Sequence, residues 1–285
     1  MASYLELTKP RITWLILVCT GIGFWFGSAE PGMTWALWHT LLGTALLASG
    51  TAALNQWWER EADARMRRTA RRPIPSGKIS PRRALLFGVL LSLAGFLELW
   101  RGVNLFSALL GLFTLLSYLF LYTPLKQVSP LSTAVGAVPG AMPPVIGYAA
   151  AGGRLDWEGL ALFAILFLWQ FPHFDAIAWM YREDYARAGI RMLPVVQPDG
   201  EATARRMVAC SLLLIPTSLV PGLLGMAGAW YVGGAVLLGA VFARAAWRVA
   251  RERSTVRARQ VLLTSVFYLP ALFALMLADR GAAWL

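Results

Sequence analysis

Three oxygen-bearing side chains, Asn55, Glu59 and Asp63, recur at a spacing of four in the stretch Asn55-Gln-Trp-Trp-Glu59-Arg-Glu-Ala-Asp63. On a helix, each step of four turns about 40° past a full revolution and climbs about 6 Å, so the three share one stripe roughly 12 Å long. Such a stripe can hold a hard cation: Mg2+ takes a few carboxylate oxygens from a protein and completes its shell with water and phosphate. The chain continues through Arg65-Met-Arg-Arg68-Thr-Ala-Arg71-Arg72-Pro73. Those guanidiniums suit phosphate oxygens, through forked, charge-assisted hydrogen bonds. Each residue alone has a plainer reading, a solvated helix end laced by i,i+4 ion pairs such as Glu61–Arg65. All three together, at the end of the apolar run Leu37–Leu54, favour metal and phosphate chemistry.

A second polar cluster closes another apolar run, in Trp169-Gln-Phe-Pro-His173-Phe-Asp175 and Tyr181-Arg182-Glu183-Asp184-Tyr185. Ionisable groups in or beside membrane segments are costly and usually functional. Asp175 and Glu183 read equally well as helix-end decoration, and Asp184 as the partner of Arg182 or Arg187. His173, after the helix-kinking Pro172, has three open readings: a hydrogen bond to a neighbouring helix, a haem ligand, or a group that orients a flat acceptor. Lys126, in Tyr122-Thr-Pro-Leu-Lys126, is available to a phosphate or is an ordinary interfacial anchor. His39 has no partner cluster and reads as interfacial. Cys19 and Cys210 each sit in an apolar run, which excludes a disulfide framework or a CxxC metal site.

These clusters must be carried by membrane helices. The chain of 285 residues is 58% hydrophobic and 14% charged, with a mean hydropathy of +0.57, whereas soluble domains carry about 25% charged residues. The composition predicts an all-α, polytopic membrane protein. Runs of about 20 apolar residues predict nine spans in a single domain over 1–285, at about 12–27, 35–57, 84–99, 103–121, 131–150, 160–180, 207–224, 230–247 and 261–277. The least defined boundaries are Trp100-Arg-Gly and the turn at 225–228. With Met1 inside, every Lys and Arg except Arg101, Arg154 and Arg280 falls on the cytoplasmic side. That positive-inside asymmetry places the N-terminus in and the C-terminus out, and explains the net charge of +11 without a nucleic-acid partner. Spans 2 and 6 then run in the same direction, so their polar ends meet at one membrane face. Gly136-Ala-Val-Pro-Gly140-Ala-Met-Pro-Pro-Val-Ile-Gly147 marks span 5 for close helix contacts, as expected of a bundle around a central cavity.

At these residues the sequence resembles the UbiA-type superfamily of intramembrane prenyltransferases, and within it the haem-farnesylating branch. The superfamily's first aspartate-rich motif, N-x-x-x-D-x-x-x-D, stands here as Asn55…Glu59…Asp63, with glutamate in the middle place and so a longer arm. The branch pattern M-x-R-T-x-x-R-P is matched by Met66-Arg67-Arg68-Thr69-Ala70-Arg71-Arg72-Pro73. Leu7-Thr-Lys9-Pro10-Arg11, Tyr122-Thr-Pro-Leu-Lys126, Gly140-Ala-Met-Pro143 with Gly147, Gln170-Phe-Pro-His173-Phe and Asp184-Tyr185…Met192-Leu193-Pro194-Val195 also match. The likeness covers most of Leu7–Val196. A second D-x-x-x-D motif of other branches is here Tyr181-Arg-Glu-Asp184-Tyr185, of which Asp184 is the better carry-over.

The resemblance implies a UbiA-type bundle in a bacterial-type cytoplasmic membrane with its active site on the cytoplasmic side. It implies farnesyl diphosphate and haem b as substrates, Mg2+ as cofactor, and haem-delivery or haem A-forming proteins as possible partners. Asn55, Glu59, Asp63 and Asp184 would hold Mg2+ and serve catalysis. Arg68, Arg72 and Lys126, with Lys9 and Arg11, would take the diphosphate, and His173 and Tyr185 would face the haem. Two rivals stay open: a prenyltransferase with a quinone or chlorin acceptor, which shares the first motif and differs at His173, and an ion-coupled transporter. The transporter reading is weakened by acids gathered at one face and by the lack of an internal repeat.

Overall fold

The computed structural model describes residues 2–29 and 32–282. Among them nine helices are long and apolar enough to cross a membrane. We label these α1 (Pro10–Gly27), α2 (Trp35–Trp58), α3 (Pro81–Gly102), α4 (Leu105–Leu125), α5 (Ser132–Gly152), α6 (Trp157–Met180), α7 (Glu201–Leu223), α8 (Ala229–Arg251) and α9 (Thr255–Arg280). The protein is all-α, as expected. Several helices outrun the apolar windows because a helix continues past the hydrocarbon into the headgroup zone: α7 begins at Glu201 and α8 ends at Arg251. The break expected at Trp100-Arg-Gly falls slightly later. Asn104 caps α4 by accepting from the Ser107 amide (2.8 Å), while its Nδ2 donates to the carbonyls of Ala149 and Ala150 (3.0 and 3.2 Å). One amide side chain thus starts a helix and pins it to α5.

The contacts gather into two compact units. The first comprises Met1–Gly159 with Glu183–Arg191, and the second Leu160–Arg182 with Met192–Leu285. In the first, α2 packs on α3 and α1 on α5. The α1–α5 approach is close because glycines face backbone: a Cβ on Gly23 would strike the Pro144 carbonyl, and one on Gly147 the Thr20 carbonyl. Small residues of this kind let helices associate where lipid gives no hydrophobic drive. In the second unit α7, α8 and α9 pack in sequence. Helix α6 runs unbroken through Pro172, ends at Met180, and is followed by a short helix, Arg182–Arg187.

Two local irregularities lie in the first unit, at the ends of α1 and α4. Lys9 joins the short helix Ala2–Leu7 to α1 with φ 49° and ψ 58°. It is the one non-glycine residue with positive φ among those described, a conformation that costs about 1–3 kcal/mol and tends to mark functional sites. Helix α4 widens into a π-helix at Ser117–Tyr122, another irregularity common at such sites.

Candidate active site

The stripe expected from the sequence forms. Beyond Trp58, α2 is followed by the short helix Arg60–Arg65, and the Glu59 amide donates to Asn55 O (2.9 Å) and the Asp63 amide to Glu59 O (2.8 Å). The i→i−4 ladder therefore passes through the junction and keeps all three side chains in helical register. A small apolar core of Leu7, Ala53, Ile74, Ile79 and Ala84, with Trp57 packed against it, forms at the end of α2. It ties the N-terminal helix and the loop after Met66 to the end of α2. Gln56 Nε2 adds a buried hydrogen bond to the Leu7 carbonyl (2.9 Å).

Each oxygen-bearing group is held by a cation or amide from elsewhere in the first unit. Asn55 Oδ1 accepts from Lys9 Nζ (3.3 Å), and its Nδ2 donates to Glu59 Oε2 (3.0 Å) and Thr123 Oγ1 (3.3 Å). Glu59 Oε1 accepts from Lys126 Nζ (2.7 Å), and both side chains are largely buried. Asp63, only 1% exposed, takes Arg72 Nη1 on both carboxylate oxygens (2.8 and 2.7 Å). Asp184 pairs with Arg187, and its Oδ2 also accepts the Arg68 amide (3.4 Å). Arg68 Nη2 in turn donates to Tyr185 OH (3.1 Å). The loop Met66–Arg72 thereby touches Asp63 at one end and Asp184 at the other.

Placement has consequences for charge. Burial opposes ionisation of Glu59, but the ammoniums of Lys126 and Lys9 and the Asn55 amide outweigh it and hold its carboxyl below the usual range. For Lys126, burial works against the ammonium, yet Tyr122, Glu59 and Tyr118 more than compensate and hold it protonated. Its Nζ also sits 4.4 Å from the Tyr122 ring centroid, a cation–π contact. Lys9 goes the other way: burial, then the nearby Arg72 charge, lowers it to about 8 despite Glu59 and Asp63. The π-helix helps to build this end of α4. It carries Tyr118 and Tyr122, and its C-cap Thr123 donates to Tyr118 O (2.8 Å) while receiving Asn55.

Eight of the expected residues, Asn55, Glu59, Asp63, Asp184, Arg68, Arg72, Lys126 and Lys9, are thus joined through direct contacts or the Met66–Arg72 loop. Arg11 stands apart, exposed and without a polar partner among the described residues. Tyr185, expected to face an acceptor, packs against Arg68. His173 belongs to the second unit, where its Nδ1 lies 2.8 Å from Ser265 Oγ and its ring stacks on Trp169 (centroids 4.7 Å apart). Asp175 pairs bidentately with Arg206, Nε to Oδ2 at 2.8 Å. His39, expected to be alone, meets Glu98 (2.7 Å) on α3.

Sequence reasoning did not single out Gln56, Thr123, Tyr118, Arg206 or Ser265. Gln56 and Thr123 lie inside motifs already noted; the others carry no local signal. Among the described residues no three His, Cys, Asp or Glu side chains gather as a ready metal cage. The donor set is nevertheless all hard oxygen, the type Mg2+ selects, and that ion commonly takes only one or two protein carboxylates beside phosphate. The residues fit the group. Chemically, the arrangement is a row of anions, each neutralised by a cation that can turn to a different anion.

Residues 16–281 match the UbiA prenyltransferase family. A protein of Solibacter usitatus named protoheme IX farnesyltransferase is 63% identical, over 98% of this chain and 99% of its own length. Among solved structures, one described as digeranylgeranylglyceryl phosphate synthase superposes with a TM-score of 0.82 at 18% identity, covering 98% of both chains. A UbiA homologue from Archaeoglobus fulgidus bound to GPP and Mg2+ superposes at 0.65 with 16% identity, over 96% of this chain and 99% of its own. With its motif residues meeting around the end of α2, the chain belongs to the UbiA prenyltransferase family, where it groups with the protoheme IX farnesyltransferases.

Proposed function

We propose that this enzyme transfers the farnesyl group of farnesyl diphosphate to a vinyl group of haem b, yielding haem O and diphosphate. The observation that carries the reading is the lattice at the end of α2, in which Asn55, Glu59 and Asp63 are each held by a different cation. In the reaction the allylic C1–O bond breaks heterolytically and its electron pair leaves with diphosphate. The haem vinyl π electrons form the new C–C bond to the farnesyl cation. Water supplies the hydroxyl of the resulting hydroxyethylfarnesyl arm and loses a proton.

The protein's part is to stabilise the leaving group. Mg2+, held by Asn55, Glu59 and Asp63 with Asp184, would supply positive charge against the diphosphate. Arg72 and Lys126 exchange their carboxylates for diphosphate oxygens, so neither the acids nor the bases are left uncompensated. Lys9 and Arg68 line the same lattice, and Arg11, exposed and outside it, would reach the diphosphate only on binding. Removing one preorganised charge of this kind typically costs 10²–10³ in rate. His173 serves the acceptor. Tyr185 orients Arg68, a role at the donor end that its geometry favours over contact with haem.

The concentration of Lys and Arg at these helix ends supports a cytoplasmic position for this lattice in a bacterial-type membrane, with the N-terminus inside and the C-terminus outside. Haem would be handed over by delivery proteins, or passed on to those that form haem A. The test is direct: purified protein with haem b, farnesyl diphosphate and Mg2+ yields, by mass spectrometry, haem enlarged by one farnesyl and one hydroxyl group, and chelation of Mg2+ stops it. Farnesylation of a quinone or chlorin in place of haem would overturn the acceptor assignment.

A further inference from the structure

Within the second unit, one histidine is held in a way that fixes its chemistry. Ser265 Oγ lies 2.6 Å from the Leu262 carbonyl oxygen and 2.8 Å from His173 Nδ1. Two oxygens approach to 2.6 Å only with a proton between them, and the carbonyl has none to give. The serine hydroxyl proton therefore points at Leu262. What Ser265 offers His173 is a lone pair, so the hydrogen of that second contact sits on Nδ1. A neutral imidazole carries one N–H, and Nε2 is left as the unprotonated nitrogen.

The surroundings hold the ring still. Trp169, one turn earlier on α6, stacks on it with an interplanar angle of 23° and donates its indole N–H to the Ser265 carbonyl (2.8 Å). Phe174 meets the ring edge-on (5.3 Å). Ser265 is fully buried. Nε2, by contrast, makes no hydrogen bond among the described residues, and His173 is only partly buried. A histidine with one nitrogen hydrogen-bonded and the other exposed as a lone pair is the arrangement that metal-ligating histidines adopt.

We propose that Ser265 is a positioning residue for the acceptor: it fixes the Nδ1–H tautomer of His173, so that Nε2 is presented to the iron of haem b. This rests on the reading that haem is the acceptor. A neutral hydroxyl partner, unlike a carboxylate, leaves the imidazole a modest base. That suits a ligand that must bind haem, hold it during transfer, and let the product go.

The experiment titrates ferric protohaem IX into detergent-purified wild type, His173→Ala, Ser265→Ala and Ser265→Thr, reading absorbance and, after reduction, the iron–histidine stretch by resonance Raman. Wild type shows histidine ligation. His173→Ala loses it, and added imidazole restores it. Ser265→Ala binds haem 10–100-fold more weakly, the usual cost of losing such a partner, with a lowered stretch frequency, and Ser265→Thr recovers both. A Ser265→Ala protein with wild-type affinity and stretch, while His173→Ala loses ligation, overturns the proposal. So does histidine ligation that survives in His173→Ala. Product analysis separates this from the parent reading: farnesylated haem from wild type upholds haem as acceptor whichever way Ser265 falls, and its absence removes both.

Discussion

Both units bury a carboxylate against an arginine, yet the two pairs are built differently. Asp63, in the first unit, is one of a row of acids, and its partner Arg72 comes from a surface loop and stays partly exposed. Neighbouring acids have their own cations, Lys126 for Glu59 and Arg187 for Asp184. Asp175, in the second unit, is completely buried and takes both arms of Arg206 from the next helix. No other acid shares that pair among the described residues. A buried charge alone therefore does not mark a site. A row of acids whose cations can leave is suited to exchange, whereas a solitary forked pair between two helices is suited to clamping.

The comparison is open to mutation, and the largest effects belong to the row. Asp63→Ala and Asn55→Ala should reduce farnesyl transfer by about 10²–10³ or more, and for Asp63→Ala the melting temperature in detergent should change little because Arg72 can turn to water. Full activity in either variant would remove the metal assignment. Asp175→Ala should invert the pattern: an uncompensated buried Arg206 costs about 3–5 kcal/mol, seen as a markedly lower melting temperature with turnover per folded molecule near wild type. Replacing both partners, Asp175→Leu with Arg206→Met, should recover most of that stability. If the double variant is folded but inactive, the clamp reading fails.

Smaller changes sharpen the boundary. Lys126→Ala strands a buried Glu59 and removes the proposed diphosphate contact, so it should lower both turnover, by roughly 10²-fold, and stability. Glu59→Asp keeps the charge but shortens the arm that spans Lys126 and Asn55, and should cost about tenfold or less, read as kcat at saturating substrate. An equal loss from Glu59→Asp and Glu59→Ala would show that reach matters as much as charge.

Much of this was legible from one chain, because it is local. Hydropathy marks the stretch of helix that lies in hydrocarbon, and nine windows became nine helices among the described residues. Spacing alone put Asn55, Glu59 and Asp63 on a stripe. What stayed hidden depends on how helices register against one another. Thr123 reaches Asn55 across 68 residues, Ser265 reaches His173 across 92, and Glu98 reaches His39 across 59; no periodicity encodes such pairings. The left-handed Lys9 and the π-helix before Thr123 were equally invisible, since both are imposed by packing against the propensity of their own residues.

In the proposed mechanism the acids at the end of α2 exchange their cations for metal as those cations take up diphosphate. Mn2+ binding, followed by loss of the free-ion signal in electron paramagnetic resonance, tests it with and without a farnesyl thiodiphosphate that resists cleavage. Metal affinity should be weak alone, rise by about 5–150-fold with the analogue, and be lost in Asp63→Ala under both conditions. Equal Mn2+ affinity with and without the analogue, or full binding in Asp63→Ala, would contradict it.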